Sequence, residues 1–275
     1  MFKKLVVSIL LFLFAIPQFA LAGTSGDKPI LLVPRPSATQ TTQTTQTTQP
    51  TQPPAPIIPP SPTEPLPPPS IPLQAKLINF SLTFDDGPNP QYTPQVLALL
   101  DKFEAKGTFF MVGVNVIQYP AIVRQATLNG NEIAAHSMTH PFPDDVSDSA
   151  LDYEITASAA ILREISGKPV HYFRPPYGSR SYIYTQRAPE LNVKIRYWTV
   201  DPMDWSGISS DAIAQHVLEN LQPGSIVLMH DGGGNRQETV NALEIILREA
   251  KSRGYNSVSL FELEEGEDSI PSSKS

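Results

Sequence analysis

Two adjacent carboxylates end an apolar run in LTFDDGP, residues 82–88. Asp85 and Asp86 repel each other when both are ionised, so this pairing is favourable only beside a positive partner. HSMTH, residues 136–140, holds two histidines four positions apart, a spacing that lets both imidazoles face one point on a helical turn. Two histidines and one carboxylate suit Zn²⁺ or a similar divalent ion. One aspartate can then ligate the ion while the other takes a proton from a water that the ion activates.

Further polar side chains follow other apolar runs of the sequence. They comprise an arginine, three aspartates, a tryptophan and a histidine: Arg174, Asp201, Asp204, Trp205, His230 and Asp231. Each has a structural alternative, as a turn, a loop or a buried tryptophan. Together with the two motifs above they all stand at predicted carboxyl ends of strands, the face where parallel barrels build active sites. We therefore expect a single site on that rim.

Strand and helix patterns alternate along the segment that must position these residues. Apolar or β-rich runs occur at 77–84, 107–113, 131–136, 170–174, 193–200, 225–230 and 256–261. Helix-period stretches lie between most of them, with starts near Thr93 and Ser209 and with glycines at the ends: Gly130, Gly167, Gly224 and Gly254. This alternation predicts an α/β fold with a parallel sheet. Seven units in about 190 residues fall short of the roughly 250 of a full eight-fold barrel, so we expect a distorted or incomplete (β/α) barrel of about seven parallel strands with helices outside.

The first 22 residues have the pattern of a signal peptide. Lys3 and Lys4 precede the apolar run LVVSILLFLFAI, and Ala20-Leu21-Ala22 is a small-residue cleavage site. The alternative is an uncleaved membrane anchor, although the run is shorter than the roughly 20 residues of a spanning helix. A membrane is an expected partner only in that case. The pattern predicts a protein that is secreted or associated with the cell envelope.

Residues 23–75 form a Thr/Gln- and Pro-rich segment, in which 15 of the 29 prolines lie between Pro29 and Pro72. Few apolar side chains and many prolines predict a disordered linker. The folded domain should then cover residues 76–265, with a flexible tail at 266–275. The chain has no cysteine, so disulfides do not stabilise it, and its net charge of −7 argues against a nucleic-acid partner.

Five stretches carry a resemblance to a known family. SLTFDDGP, HSMTHP, RPPYG, DPMDW and VLMH, in this order, resemble the motifs of the NodB-homology polysaccharide deacetylases, carbohydrate esterase family 4. The resemblance covers about residues 76 to 263, and no catalytic position departs from the family pattern. It implies a metal-dependent hydrolase that acts on an acetylated polysaccharide.

The resemblance also implies roles for the first three motifs. Asp85 would be the general base that activates water. Asp86, His136 and His140 would be the metal ligands. Arg174 would hold Asp85 in place by a charge-assisted hydrogen bond. The ion would be a single divalent metal, zinc first, with cobalt, nickel or manganese as alternatives.

The remaining motif residues would complete the reaction. The backbone N–H of Tyr177 would stabilise the oxyanion. His230 would be the general acid that protonates the leaving amine, and Asp204 would hold and tune its imidazole. Trp205 and Leu228 would line the pocket for the acetyl methyl, with a role in the core as the alternative for both.

Three functions agree with these residues. The first is removal of N-acetyl groups from N-acetylglucosamine units of a cell-wall or extracellular polysaccharide, peptidoglycan first and chitin-like oligomers second. The second is O-acetyl ester hydrolysis on acetylxylan-type polymers with the same site. The third is a non-catalytic glycan-binding module, which should lack the base, a ligand or the acid. We expect a monomer.

For four other polar residues the sequence predicts no catalytic role. His171, in a strand pattern, and His216, on a predicted helix, are expected in core or surface positions. Asp201 is left open between loop structure and support of the site. Asp231, which precedes three glycines, is expected to shape the loop after His230.

Overall fold

The computed structural model describes residues 77–142 and 145–268. The predicted signal peptide, the predicted linker and the last part of the predicted tail lie outside the described residues. The final helix reaches Asp268, three residues into the segment predicted as a tail. Within the described ranges, no helix combines the length and the hydropathy needed to span a bilayer.

Seven parallel strands form the centre of the fold. They are β1 (Ile78–Asp85), β2 (Gly107–Met111), β3 (Glu132–Ala135), β4 (Tyr172–Phe173), β5 (Lys194–Ile195), β6 (Ile226–His230) and β7 (Tyr255–Ser257). Six of them are ordered β5-β4-β3-β2-β1-β6, and β7 pairs with the start of β1. Every pairing is parallel, as expected for strands joined by helical crossovers.

The sheet curves into a distorted barrel, which confirms the predicted fold class. The N–H groups of Thr199 and Val200 donate to the carbonyl oxygen of Ile226, so the chain after β5 reaches across to β6. For this reason the run predicted as a strand at 193–200 is a strand only at its second and third residues. Arg196 still donates its N–H to the backbone oxygen of Phe173 in β4, and only residues 199 and 200 join β6.

The run predicted as a strand at 256–261 is also shorter in the structure. Strand β7 ends at Ser257, and a helix begins at Leu260. Ser259 and Glu262 form a capping box: the N–H of Ser259 donates to the Glu262 carboxylate, and the N–H of Glu262 donates to the Ser259 hydroxyl. This cap starts the helix and ends the extended run.

Eight helices surround the strands in the described ranges: α1 (Thr93–Lys102), α2 (Gly113–Gln118), α3 (Pro120–Leu128), α4 (Asp148–Ser166), α5 (Tyr182–Glu190), α6 (Ser210–Asn220), α7 (Gln237–Ser252) and α8 (Leu260–Asp268). Two predicted starts are confirmed. Helix α1 begins at Thr93, and the hydroxyl of Ser209 caps α6 by accepting from the N–H of Ala212. The four glycines predicted at helix ends all have positive φ.

The alternation of β1 decides which face carries chemistry. Phe80, Leu82 and Phe84 belong to the main apolar core. The intervening residues Thr83 and Asp85 point the other way, since successive side chains of a strand alternate. Both are buried and polar. The central strand therefore carries a polar stripe on its second face, which leads to the carboxyl end of the sheet.

Candidate active site

Asp85 is the last residue of β1, and Asp86 makes the turn that follows. Asp86 has φ of +72°, a left-handed conformation that aspartate adopts more readily than most residues. The N–H of Asp231, next to the end of β6, donates to the backbone oxygen of Asp85 at 3.1 Å. Both carboxylates lie beside His136, whose Nε2 is 3.6 Å from Asp85 Oδ2 and 3.5 Å from Asp86 Oδ1.

Arg174 holds the side chain of Asp85. Its Nη1 donates to Asp85 Oδ1 at 2.7 Å and to the Thr83 hydroxyl at 2.9 Å. Its Nε and Nη2 donate to the backbone oxygens of Arg196 and Tyr197, each at 3.1 Å. Burial lowers the pKa of this fully buried guanidinium, and the charge of Asp85 opposes that effect. All three nitrogens are engaged, so the ion pair has a fixed geometry.

Asp86, His136 and His140 converge on one point. Asp86 Oδ1 lies 3.5 Å from His136 Nε2 and 3.1 Å from His140 Nε2, and the three possible ligand atoms lie within 4.8 Å of one another. The predicted helical turn between the histidines is wrong. Residues 136–140 form a loop in which Ser137 and His140 have positive φ, and this bend, not helical spacing, brings the rings together.

The three side chains fit a divalent ion. His136 Nδ1 lies 2.7 Å from the backbone oxygen of Arg174. Because a carbonyl can only accept, Nδ1 carries the hydrogen and Nε2 has its lone pair free for a metal. Separations of 3.1 to 3.5 Å between ligand atoms agree with a tetrahedral ion bound at about 2.0–2.2 Å.

The pKa values of Asp86 and His136 are shifted from their usual values. Burial alone raises the pKa of Asp86, but hydrogen bonds and charges from the two histidines outweigh it and hold that pKa far below its usual range. Burial lowers the pKa of His136, whereas the charges of Asp85 and Asp86 raise it, with a net rise above 6.5. The two carboxylates therefore favour positive charge at this point, as a cation site requires.

His230 and Asp204 form a second pair on the same rim. His230 Nδ1 lies 2.7 Å from Asp204 Oδ1, and the N–H of His230 donates to Asp204 Oδ2 at 2.9 Å. Thr239 donates its hydroxyl to the same oxygen at 2.8 Å. Burial lowers the pKa of His230, but Asp204 raises it above 6.5, with smaller contributions from other carboxylates. The pair favours a protonated imidazole, as a general acid requires.

A cavity of about 700 Å³ joins these groups. Its lining includes the predicted pocket residues and both ionic clusters: Asp85, Asp86, His136, His140, Tyr177, Trp205, Leu228 and His230. Trp205 is 52% exposed, which excludes the core alternative for this residue, while Leu228 is buried. Tyr177 has φ of +57°. The cavity therefore brings Asp85, the three candidate metal ligands and His230 to one space.

This geometry has counterparts in known proteins. The sequence profile described as polysaccharide deacetylase matches residues 76–195. A peptidoglycan-N-acetylglucosamine deacetylase of Bacillus cereus is 40% identical over 195 residues, which are 70% of this chain and 90% of that protein. The chain belongs to the polysaccharide deacetylase family. It is accordingly a hydrolase, as the motifs predicted.

Two further relatives agree with that membership. A chitooligosaccharide deacetylase of Azorhizobium caulinodans is 34% identical over 186 residues, covering 63% of this chain and 89% of that protein. The solved structure of the peptidoglycan deacetylase PdaC from Bacillus subtilis superposes with a TM-score of 0.64 at 31% identity, covering 70% of this chain and 92% of that one. The distorted barrel is thus the fold of the family.

Several residues of this deacetylase support the site without having been predicted from the sequence. Thr83 and Thr239 bind Arg174 and Asp204, as described above. Asn115 donates its side-chain N–H to the backbone oxygen of Asp86 at 3.0 Å. Glu154 on α4 accepts the N–H groups of residues 138 and 139 at 2.7 Å each and so fixes the loop between the histidines. No local pattern marks these residues, because each belongs to a different element.

The glycines after His230 are a third kind of support. A Cβ on Gly233 would lie 2.2 Å from Asp86 Oδ2, and one on Gly232 would lie 2.1 Å from the Asp86 backbone oxygen. Only glycine leaves room for the carboxylate here. The sequence shows the GGGN run, but the close approach of its glycines to Asp86 could not be predicted from it.

The structure also shows the positions of the four polar residues for which the sequence predicted no catalytic role. His171 is partly exposed beside Glu132, and His216 is exposed on α6. Asp201 lines the cavity and accepts the N–H of Met203. Asp231 is fully buried, accepts the Thr93 hydroxyl at 2.6 Å, and its Oδ1 has no hydrogen-bond partner among the described residues. Burial raises the pKa of Asp231 to about 7.

Proposed function

We propose that this deacetylase removes N-acetyl groups from N-acetylglucosamine units of a polysaccharide outside the cytoplasm, with peptidoglycan as the first candidate. The observation that carries the proposal is the convergence of Asp85–Arg174, Asp86–His136–His140 and Asp204–His230 on one cavity. The B. cereus relative supports peptidoglycan by its name, and the A. caulinodans relative supports chitin-like oligomers as the second candidate.

Amide hydrolysis needs a base, a partner for the oxyanion and an acid for a poor leaving group. Asp85, fixed by Arg174, accepts a proton from the attacking water. The backbone N–H of Tyr177 stabilises the charge that develops on the acetyl oxygen. His230, held by Asp204, gives its proton to the nitrogen as the carbon–nitrogen bond breaks. The products are acetate and a free amine.

Asp86, His136 and His140 would hold one divalent ion, for which zinc is the first candidate. When bound, such an ion polarises the acetyl oxygen and makes a water acidic. A non-polar wall from Leu228 and Trp205 accommodates the methyl group beside these ligands. Export through residues 1–22 and a tether at 23–75 would place the domain in the cell envelope, where peptidoglycan is the abundant acetylated polymer.

Acetate release tests the proposal. The full chain would be stripped of metal with a chelator, given Zn²⁺ or Co²⁺, and assayed on N-acetylglucosamine oligomers, purified peptidoglycan and acetylxylan. We expect metal-dependent release from one of the first two substrates. Asp85→Asn is the matched control: it should keep the metal and lose turnover, since an amide cannot serve as the base.

The other outcomes identify the alternatives. Release from acetylxylan alone would identify ester hydrolysis as the activity. If the metal-bound protein releases no acetate from any of the three substrates but retains a glycan, it is the non-catalytic binding module. Activity retained in Asp85→Asn would show that another group is the base.

A further inference from the structure

Exposed aromatic side chains are concentrated on the rim that carries the site. Six aromatic residues of the described ranges are highly exposed, and four of them follow the carboxyl ends of β3, β4 and β5: Phe142, Tyr177, Tyr182 and Trp205. Exposed aromatic surface is costly in water and commonly marks a binding surface when it is clustered. The rim is therefore more apolar than the acetyl cavity alone requires.

Three of the rim's rings form a row that leads away from the metal ligands. The His140 ring meets the Tyr177 ring edge to face, with centroids 4.7 Å apart at 67°. Tyr177 in turn stacks on Phe142 at 4.0 Å with an angle of only 7°. Phe142 is the outermost ring, and it remains 57% exposed although Tyr177 covers one of its faces. Its other face is open to solvent.

Phe142 lies just outside the catalytic cavity. Tyr177 and His140 line that cavity, whereas Phe142 does not. A group that contacts the open face of Phe142 cannot also be the acetyl group at the base. It can, however, belong to the same molecule when that molecule is a chain of several sugars.

The chemistry of a sugar ring suits this face. A pyranose ring presents several C–H groups on one side, and the face of an aromatic ring is electron-rich. Stacking the two buries apolar surface on both and leaves the sugar hydroxyls free at the edge. The alternative role for Phe142 is that of a cover that only holds Tyr177 in place. The two roles differ in what the loss of the ring does to substrate binding and to turnover.

We propose that the open face of Phe142 stacks on a sugar ring of the polysaccharide some way along the chain from the unit whose acetyl group is removed. This inference rests on the proposed function and adds a specificity residue to it. Phe142 makes the enzyme select chains of several sugars over small acetylated compounds. Phe142 itself takes no part in the chemical step.

The test separates binding from turnover. The full chain loaded with Zn²⁺ would be assayed on a hexasaccharide of N-acetylglucosamine and on p-nitrophenyl acetate, which needs only the acetyl cavity. Phe142→Ala should raise KM for the hexasaccharide about tenfold, the size expected when one aromatic contact is lost. Its kcat and its rate on p-nitrophenyl acetate should stay unchanged, and Phe142→Trp should keep the low KM.

Phe261→Ala is the matched control. Phe261 is also exposed and also stacks on another ring, that of His171 at 4.6 Å, but His171 precedes β4 and so lies at the opposite end of the strands. This variant should leave both substrates unaffected. An equal loss on both substrates in Phe142→Ala would show that Phe142 only steadies Tyr177, and an unchanged KM would show that it does nothing for binding. Either result overturns the proposal.

Failure of the proposed function would look different. In that case the unaltered chain would release no acetate from the hexasaccharide. Binding of the hexasaccharide by calorimetry then decides: weaker binding in Phe142→Ala than in the unaltered chain supports the stacking, and equal or absent binding refutes it.

Discussion

Replacing Asp204 by asparagine removes one charge from the His230–Asp204 pair, the proposed general acid, and keeps the shape of the side chain. Asp204 is buried and accepts three hydrogen bonds, two of them from His230 and one from Thr239. Asparagine can still accept two of these bonds through its remaining oxygen. Its amide nitrogen is a donor and replaces the other acceptor oxygen, so the variant removes the negative charge together with one of the three bonds.

The size of the effect follows from the surroundings of His230. Burial lowers its pKa, and the hydrogen bond and charge of Asp204 more than reverse this. An opposite charge in direct contact is worth about 1–3 pKa units. In Asp204→Asn this charge is absent while the burial of His230 remains. We therefore expect the pKa of His230 to fall by about 1–3 units, to below 6.5. The pair stabilises the fold below pH 6.5, and this contribution is lost as the pH rises through the raised pKa.

The assay is the pH dependence of kcat/KM for acetate release with the metal site saturated. An enzyme that needs protonated His230 loses activity on the basic side of its profile, and that limb should move down by about 1–3 units in Asp204→Asn. Asp201→Asn is the matched control, because Asp201 lines the same cavity without bonding to His230. A basic limb that does not move in the activity that remains would refute the assignment of His230 and Asp204 as an acid pair.

Three further predictions concern the framework of the site. Gly233→Ala should weaken zinc binding at least about tenfold, measured by calorimetry, because its Cβ would meet Asp86 Oδ2 at 2.2 Å. Gly234→Ala is the control: this glycine also has positive φ, but no side-chain atom would lie nearer than 3.8 Å to its Cβ, so the variant should bind zinc normally. Equal zinc affinities in the two variants would contradict this account. Arg174→Met should lower the free energy of unfolding by about 3–5 kcal/mol in denaturant titrations, since it leaves a buried carboxylate unpaired; a loss below about 1 kcal/mol would show that the pair is not the support proposed here. Burial raises the pKa of Asp231 to about 7. In the metal-free protein, its contribution to the free energy of unfolding is therefore full below about pH 4 and is lost as the pH rises through 7. Asp231→Asn should flatten that decline, and parallel curves of stability against pH for the two proteins would contradict this prediction.

The sequence was a good guide wherever the signal is local. Strand β1 reads as an apolar run that ends in carboxylates, and it is a strand that ends at Asp85. Helix starts at Thr93 and after Ser209 were visible from proline and capping chemistry. The fold class followed from the alternation of such signals, because a parallel strand needs a crossover, and crossovers are usually helices.

The sequence predicted two strands that are longer than those in the structure. The run at 193–200 has β-rich composition throughout, but its second half bonds to β6 instead of β4. The run at 256–261 contains Ser259, the first residue of an S-x-x-E capping box that ends at Glu262 and begins a helix inside the apparent strand. In the first case the partner strand is distant in sequence and cannot be inferred from composition. In the second case a local capping signal outweighs the preference of the run for extended backbone.

The order of the motifs, the chemistry of their side chains and their place after apolar runs were determined by the sequence alone. The tertiary structure decided how those side chains meet. His136 and His140 converge through a bent loop that Glu154 fastens, not through the helical turn that their spacing suggests. Asp86 has room only because Gly233 has no side chain, and Asp85 is fixed by an arginine 89 positions away. Distances of about 3 Å between residues so far apart depend on the packing of the whole barrel, and no periodicity in the chain encodes them.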